Sequence, residues 1–390
     1  MANVLLVSHT GRGSGFGRVA AGIAACLVLE FETHVVGLGP SQAGEAWLGH
    51  THDPLDPTKT FGLRALATAL KPAVILLVGV GKVAAWQATE LRGDGFGGQL
   101  VAYVPVEGRI DNPWPLAGLR HCSAVMAYTH TGAAALRQAL AAAAPAHLLP
   151  RIGVIPHAID RLPQHTAPRP ALRRELFPAF TQQAEHTWLL NANRHDDRKR
   201  PELTVRAFAQ VVAEYPRTTL VMHCAPRRPG LDLQVLCSQL GLRERVIFSR
   251  PSEQMPWSEQ ALAKLYACCE IGVNNALGEG WGLVAFEHAC QGGAQIMPTH
   301  AGLLEIWGDA PRWVPAGETH YIDNVFTGQV PAVADLAQAL ADLVGQPAHM
   351  AQVAAACGQY AHRASFGWEA VGAAWRALLC ASTNAPPASQ

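Results

Sequence analysis

The segment Gly278-Glu279-Gly280-Trp281-Gly282-Leu283-Val284-Ala285-Phe286-Glu287 concentrates the most chemistry in this chain. Glu279 stands on a short loop flanked by glycines, and Glu287 follows on an apolar run. A helix from Leu283 to Gln291 would begin with backbone N–H groups that have no carbonyl to bond and that face an anion lying over the glycines. The second acid follows eight positions after the first, and eight residues of helix would span on the order of 12 Å. That separation suits two carboxylates gripping different parts of one long, phosphate-centred ligand.

A second constellation is Asn191-Ala192-Asn193-Arg194-His195-Asp196-Asp197-Arg198-Lys199-Arg200, where four cations follow a strand candidate. Fixed Arg and Lys donors can neutralise the charge that grows on a diphosphate leaving group, and they need no metal to do it. A solvated basic loop is the plain alternative. Asp196 and Asp197 could be read as a metal pair, but Arg198, Lys199 and Arg200 compete for the same carboxylates, so no metal and no cofactor are expected.

The third is Thr10-Gly11-Arg12-Gly13-Ser14-Gly15-Phe16-Gly17-Arg18, between a strand and a helix. Its glycines, Gly15 and Gly17 included, let backbone approach a ligand closely at a helix N-terminus, or else make a tight strand-to-helix turn. They alternate every second residue and do not fit G-x-G-x-x-G. The next strand ends in Gly39-Pro40 without the acid that would hold a ribose of NAD, which argues against a nicotinamide site.

These motifs need elements to hold them. Short β-rich runs alternate with helical patterns along the chain, which predicts parallel sheets built from strand–helix–strand units. Strands are expected at Val4–His9, His34–Leu38, Ala73–Gly79, Gln99–Val104, Ala124–Thr129 and Arg151–Ile155, with helices such as Arg18–Leu29, Phe61–Leu70 and Ala133–Ala144 between them. A Pro- and Arg-rich stretch then breaks the rhythm. Strands resume at Thr187–Asn191, Thr219–His223, Val246–Ser249, Ile271–Asn274 and Gln295–Met297, and Pro201 opens a helix where its missing N–H costs nothing.

The expected organisation is a first domain over 1–165, a linker over 166–185 and a second domain over 186–365. A terminal helix over 366–382 and a disordered tail over 383–390 complete it. The 390 residues are too many for one ordinary core.

Acidic and basic residues balance at 30 each, so no global field recruits nucleic acid. Peripheral membrane contact is compatible with the composition, though nothing in the charge pattern asks for it. Nine scattered cysteines without a Cys-x-x-Cys pair read as reduced thiols in a cytoplasmic protein. The first residues lack a basic lead, so no signal peptide is expected. No apolar run approaches the roughly 20 residues of a membrane span.

The second half resembles the retaining glycosyltransferases of family four, which share the GT-B architecture: an α/β fold of two Rossmann-like, doubly wound domains facing across a cleft. Arg194 and Lys199 match the family's Arg and Lys that hold the donor diphosphate, and Glu279 and Glu287 match its E-x7-E pair. The resemblance places Glu279 near the donor sugar hydroxyls and Glu287 on the ribose. The backbone of Gly282, Leu283 and Val284 then faces the phosphates, with Gly280 and Trp281 completing the loop.

Val246-Ile247-Phe248-Ser249-Arg250 resembles the end of the base-binding strand, which makes Arg250 a donor-binding candidate. Gly302-Leu303-Leu304-Glu305 resembles the segment after the next strand, Ile155 to Asp160 the hinge, and Phe366 to Val371 a last helix that returns to the first domain.

Many members carry a His near the reacting carbon, after the fourth strand of the first domain. Here that region reads Tyr103-Val104-Pro105-Val106-Glu107-Gly108-Arg109. Glu107 is the candidate that replaces it, with Arg109 and His130 as alternatives. Lys199 precedes Arg200, where many members have Gly. His223, His288 and His300 are expected to be packing or surface residues.

The resemblance implies transfer of a hexose from a nucleoside-diphosphate sugar to an acceptor hydroxyl, with retention and without metal. The alternatives are a glycosyl phosphorylase of related fold and a catalytically silent sugar-nucleotide-binding protein.

Overall fold

Val74-Ile75-Leu76-Leu77-Val78 is buried at every position, as a strand must be when helices cover both faces of its sheet. The same holds for Gln99–Val104 and Thr218–Met222. The computed structural model describes residues 1–9, 15–39, 49–56, 61–249 and 257–383. It divides into two compact units, each interrupted in sequence.

Unit 1 comprises Met1–Ala158, Asp323–Phe326 and the chain from Ala364 onward. Its strands are β1 (Asn3–His9), β2 (Glu32–Leu38), β3 (His50–Leu55), β4 (Val74–Val78), β5 (Gln99–Val104), the two-residue β6 (Arg109–Ile110), β7 (Ala124–Ala127) and β8 (Arg151–Val154). Seven of these form a sheet in the order β3-β2-β1-β4-β5-β7-β8, every pair parallel. Its helices include α1 (Gly15–Leu27), α2 (Phe61–Leu70), α3 (Gly81–Gly93) and α4 (His130–Ala143). Helix α4 starts before the expected Ala133 because the Thr129 side chain accepts from Gly132 N–H and caps the turn.

Unit 2 comprises Ile159–Ile322 and Thr327–Arg363. It contains α5 (Arg169–Leu176), β9 (Thr187–Asn191), α6 (Pro201–Val211), β10 (Thr218–Met222), the short hairpin β11 (Arg227–Arg228) and β12 (Leu231–Asp232), and α7 (Leu233–Gln239). There follow β13 (Val246–Phe248), α8 (Glu259–Cys268), β14 (Ile271–Val273), α9 (Leu283–Cys290), β15 (Ala294–Pro298), α10 (Ala301–Trp307) and β16 (Arg312–Val314). Then come β17 (Glu318–Tyr321), β18 (Phe326–Val330), α11 (Val333–Gly345) and α12 (Pro347–Ala361). The six-stranded parallel sheet has the order β13-β10-β9-β14-β15-β16. The central strand β9 thus aims the loop after Asn191 at the C-terminal edge, where ligands bind in such sheets.

Residues 166–185 depart from the expected linker, because they fold into unit 2. Arg173 of α5, only 2% exposed, explains why. Its guanidinium donates to Cys268 O (2.8 Å), Ala184 O (2.8 Å) and His186 O (2.7 Å), pairs with Glu270, and lies over the Trp188 ring. Leu172, Phe177 and Trp188 join the same apolar cluster. The Pro and Arg content that suggests a connector serves a buried ion pair instead.

Helix α13 (Trp368–Thr383) packs on α1 within unit 1. Gly22 leaves the room for it: a Cβ there would collide with the Trp368 indole. Trp375, fully buried, meets Tyr103 edge-on at 4.8 Å.

Strand β3 and the antiparallel β17–β18 pair had no counterpart in the sequence pattern, since neither offers an aliphatic run: β17 is exposed at all four positions. Residues 384–390, expected as a disordered tail, lie outside the described residues. All nine cysteines are free thiols, and burial pushes several, Cys122 and Cys357 among them, up to about 12. No helix among the described residues is long and apolar enough to cross a membrane.

Candidate functional site

The loop after β9 is held from below by buried amides. Asn275, fully buried, donates from Nδ2 to the carbonyls of Lys199 (2.9 Å) and Arg200. Its Oδ1 accepts from Asn191 Nδ2 (3.0 Å) and Thr204 Oγ1. Every hydrogen-bonding position of this side chain is therefore engaged. The grip matters because Arg200, N-cap of α6, adopts φ +49, a left-handed conformation unfavourable for a side chain with a Cβ. Asp196 Oδ1 accepts from Lys199 N–H (2.8 Å), and Leu277 N–H donates to Arg198 O (2.8 Å), which ties the basic loop to the glycine loop.

Fixed in this way, Lys199 Nζ pairs directly with Glu279 Oε2. Arg198 donates to Gly278 O (2.7 Å), with its guanidinium 3.5 Å from Glu279 Oε1. Burial alone would raise the Glu279 pKa, but the charges of Lys199 and Arg198 overcome it and hold the carboxyl at about 2. Glu279 is therefore an anion throughout the physiological range.

Gly282, with φ +88, is the N-cap of α9 and has no side chain to satisfy the first-turn amides. Leu283 and Val284 begin that turn half-buried. Glu287 lies one turn further on, 2% exposed, and accepts from Tyr266 Oη (2.8 Å). Trp281 stacks on Phe286 and Phe286 on Trp307, which makes the Trp281 ring part of the core beneath the loop. Gly280 is buried beside it.

Gly282→Ala should cost about 1–2 kcal/mol of stability from its left-handed backbone alone. Its Cβ would also sit 3.4 Å from Glu279 Cγ. Melting temperature and nucleotide affinity, measured together, should both fall.

The other candidates are placed as follows. Arg194 is 69% exposed on its side chain and lies 3.3 Å from Asp196, so Arg198 and not Arg194 accompanies Lys199 at Glu279. Arg198 was overlooked because the spacing that marks Arg194 says nothing about which arginine turns inward. Asp197 pairs with Arg228 (2.8 Å). Among the described residues no group of three His, Cys, Asp or Glu is arranged to hold a metal ion.

Gly15 and Gly17 form the first turn of α1 in unit 1, while residues 10–14 and Arg250 lie outside the described residues. Glu107 is half-buried just after β5, Arg109 is exposed and pairs with Asp111 (2.8 Å), and His130 is the exposed first residue of α4. These three belong to unit 1.

His223 and His288 are packing residues. His223 bonds Ser249 (2.8 Å), and His288, fully enclosed, meets Cys269 O and Gln295. His300 is different. Its Nε2 lies 2.7 Å from Ala276 O, and Glu279 and Lys199 are its charged neighbours.

Across 98% of this chain the structure superposes on a sucrose-phosphate synthase from Thermosynechococcus elongatus, with a TM-score of 0.74 and 17% identity, covering 100% of that chain. The fold is GT-B. A second GT-B protein, HepE of Anabaena solved with UDP and glucose, matches over 98% of this chain and 100% of its own, with a TM-score of 0.71 and 17% identity. An E. coli trehalose-6-phosphate protein bound to UDP-2-fluoro glucose matches over 99% of this chain and 100% of its own, with a TM-score of 0.70 and 12% identity.

In sequence, a D-inositol 3-phosphate glycosyltransferase of Rhodococcus opacus (strain B4) is 31% identical over 178 residues, 44% of this chain. The matching stretch spans 35% of that relative's length, about a third. No family model matches the chain.

Proposed function

We propose that the protein is a retaining glycosyltransferase, that unit 2 binds a nucleoside-diphosphate sugar, and that the hexose passes to an acceptor hydroxyl. The observation that carries this reading is the convergence of Lys199 and Arg198 on Glu279 beside the uncapped N-terminus of α9. Two cations and a row of helix amides are what a departing diphosphate requires, and they act without reorganising as charge develops. Glu279, held ionised, accepts hydrogen bonds from sugar hydroxyls, and Glu287 does so from the ribose. The acceptor attacks from the face the diphosphate leaves, and the departing phosphate takes up its proton. Arg194, exposed at the rim, is available to close over the phosphates.

UDP is the proposed base carrier, because solved proteins of this fold hold UDP, UDP-glucose and UDP-2-fluoro glucose. A phosphorylated sugar or polyol is the proposed acceptor, on the strength of the inositol 3-phosphate and glucose-6-phosphate named for similar proteins.

The test is thermal stabilisation by UDP, GDP, ADP and TDP, with and without magnesium. A nucleotide at about 100 times its dissociation constant adds roughly 2.7 kcal/mol. UDP should shift the melting temperature, the shift should survive chelator, and Lys199→Ala should abolish it. Absence of any shift would overturn the reading.

A further inference from the structure

His300 immediately precedes α10, at the C-terminal end of β15. A carbonyl oxygen only accepts, so the 2.7 Å contact with Ala276 O puts the imidazole proton on Nε2 and leaves Nδ1 with a lone pair. Both ends of that contact are braced. Ala276 N–H donates to Asn274 Oδ1 (3.0 Å), and His300 N–H donates to Pro298 O (2.8 Å). Among the described residues no hydrogen bond reaches Nδ1, and the atom is not sealed from solvent.

The surroundings say what this lone pair could meet. Gly302, in the first turn of α10, lies against the acid's backbone: a Cβ built there would be in ordinary contact with Glu279 O at 3.5 Å. Burial lowers the His300 pKa against the opposing pull of the Ala276 carbonyl and Glu279, with Lys199 adding to the fall, so the ring is neutral near pH 7. A neutral acceptor beside a carboxylate acceptor repels phosphate oxygens, which can only accept. It matches two neighbouring donors, and vicinal hydroxyls on a sugar ring are such a pair.

We infer that His300 is a specificity-determining residue whose Nδ1 accepts a hydrogen bond from the donor hexose, at a ring hydroxyl adjacent to the one taken by Glu279. The inference rests on the donor reading above and adds a residue that reads the sugar and not the nucleotide.

Calorimetric titration of UDP and of UDP-glucose into wild type, His300→Phe and His300→Gln separates the two. His300→Phe keeps the ring's bulk and removes both nitrogens. It should leave UDP affinity within about twofold and weaken UDP-glucose roughly tenfold, the worth of one hydrogen bond to a group then left unpaired. His300→Gln, whose amide can donate to Ala276 O and still accept, should recover part of the loss.

Equal weakening of both ligands would mean a structural role for the ring and would overturn the inference, as would unchanged affinity for both or failure of wild type to hold UDP-glucose while binding UDP. In those cases the donor reading stands. Wild type that binds neither ligand overturns the donor reading and this inference with it.

Discussion

Lys199→Ala should lower turnover by on the order of 100-fold or more, because it removes a fixed cation from the position where leaving-group charge develops. The same change strips Glu279 of its direct partner and leaves Arg198, 3.5 Å away, as the nearer compensation. An 8%-exposed carboxylate in that position costs stability, and breaking such pairs typically costs about 3–5 kcal/mol.

Its pH dependence identifies the source. In the wild type the Glu279 pKa is depressed to about 2, so its stabilising contribution is complete above the ordinary carboxylate range and is lost as pH falls from about 4.5 through about 2. With Lys199 gone the pKa rises, and the melting temperature should depend less on pH across that window. Steady-state kinetics would be paired with melting curves from pH 2 to pH 7. Near-normal turnover with an unchanged acid profile would refute the role given to Lys199.

Arg173→Met is the second large effect, and it lies far from the chemistry. The guanidinium satisfies three carbonyls and neutralises Glu270, whose Oε2 also accepts from Trp188 N–H (2.7 Å). Methionine fills similar volume but leaves Glu270 with Arg169 at 3.7 Å and orphans the carbonyls. A loss of about 3–5 kcal/mol is expected, measured by denaturant unfolding. Arg173→Met with Glu270→Gln should recover part of it, since the uncompensated charge is then absent. A single variant within 1 kcal/mol of wild type, a small effect on the scale of point mutations, would show that the stretch over 166–185 is not anchored as described.

The sequence made the parallel sheets legible because buried strands such as Val74–Val78 are continuous aliphatic runs, and Phe61–Leu70 emerged with the predicted limits because its period is clean. Glu279 stood out because glycines around an acid have little packing purpose, and Glu287 because it is a carboxylate on an apolar run. What stayed hidden was direction and partnership. The spacing marks Arg194, yet the turn capped by Asp196 sends Arg198 inward and leaves Arg194 at the surface. Asn275 and His300 are common residue types whose importance comes entirely from what they touch across 75 and 24 positions of chain. The structured segment containing Arg173 was read as a connector because a buried arginine and a solvated one leave the same mark in composition.

Helix α13 completes the face of α1 although Cys26 and Trp368 stand 342 positions apart. During synthesis, at about 5–20 residues per second, the ribosome takes roughly 20–70 s to deliver that covering helix after α1 has emerged. For that interval α1 carries an unfinished apolar seam around Gly22 and Cys26, a natural hold for a chaperone and a weak point for proteases. Unit 1 thus waits for a segment made after most of unit 2, and nascent chains arrested before Trp368 should be cleaved in α1 at sites that released chains protect.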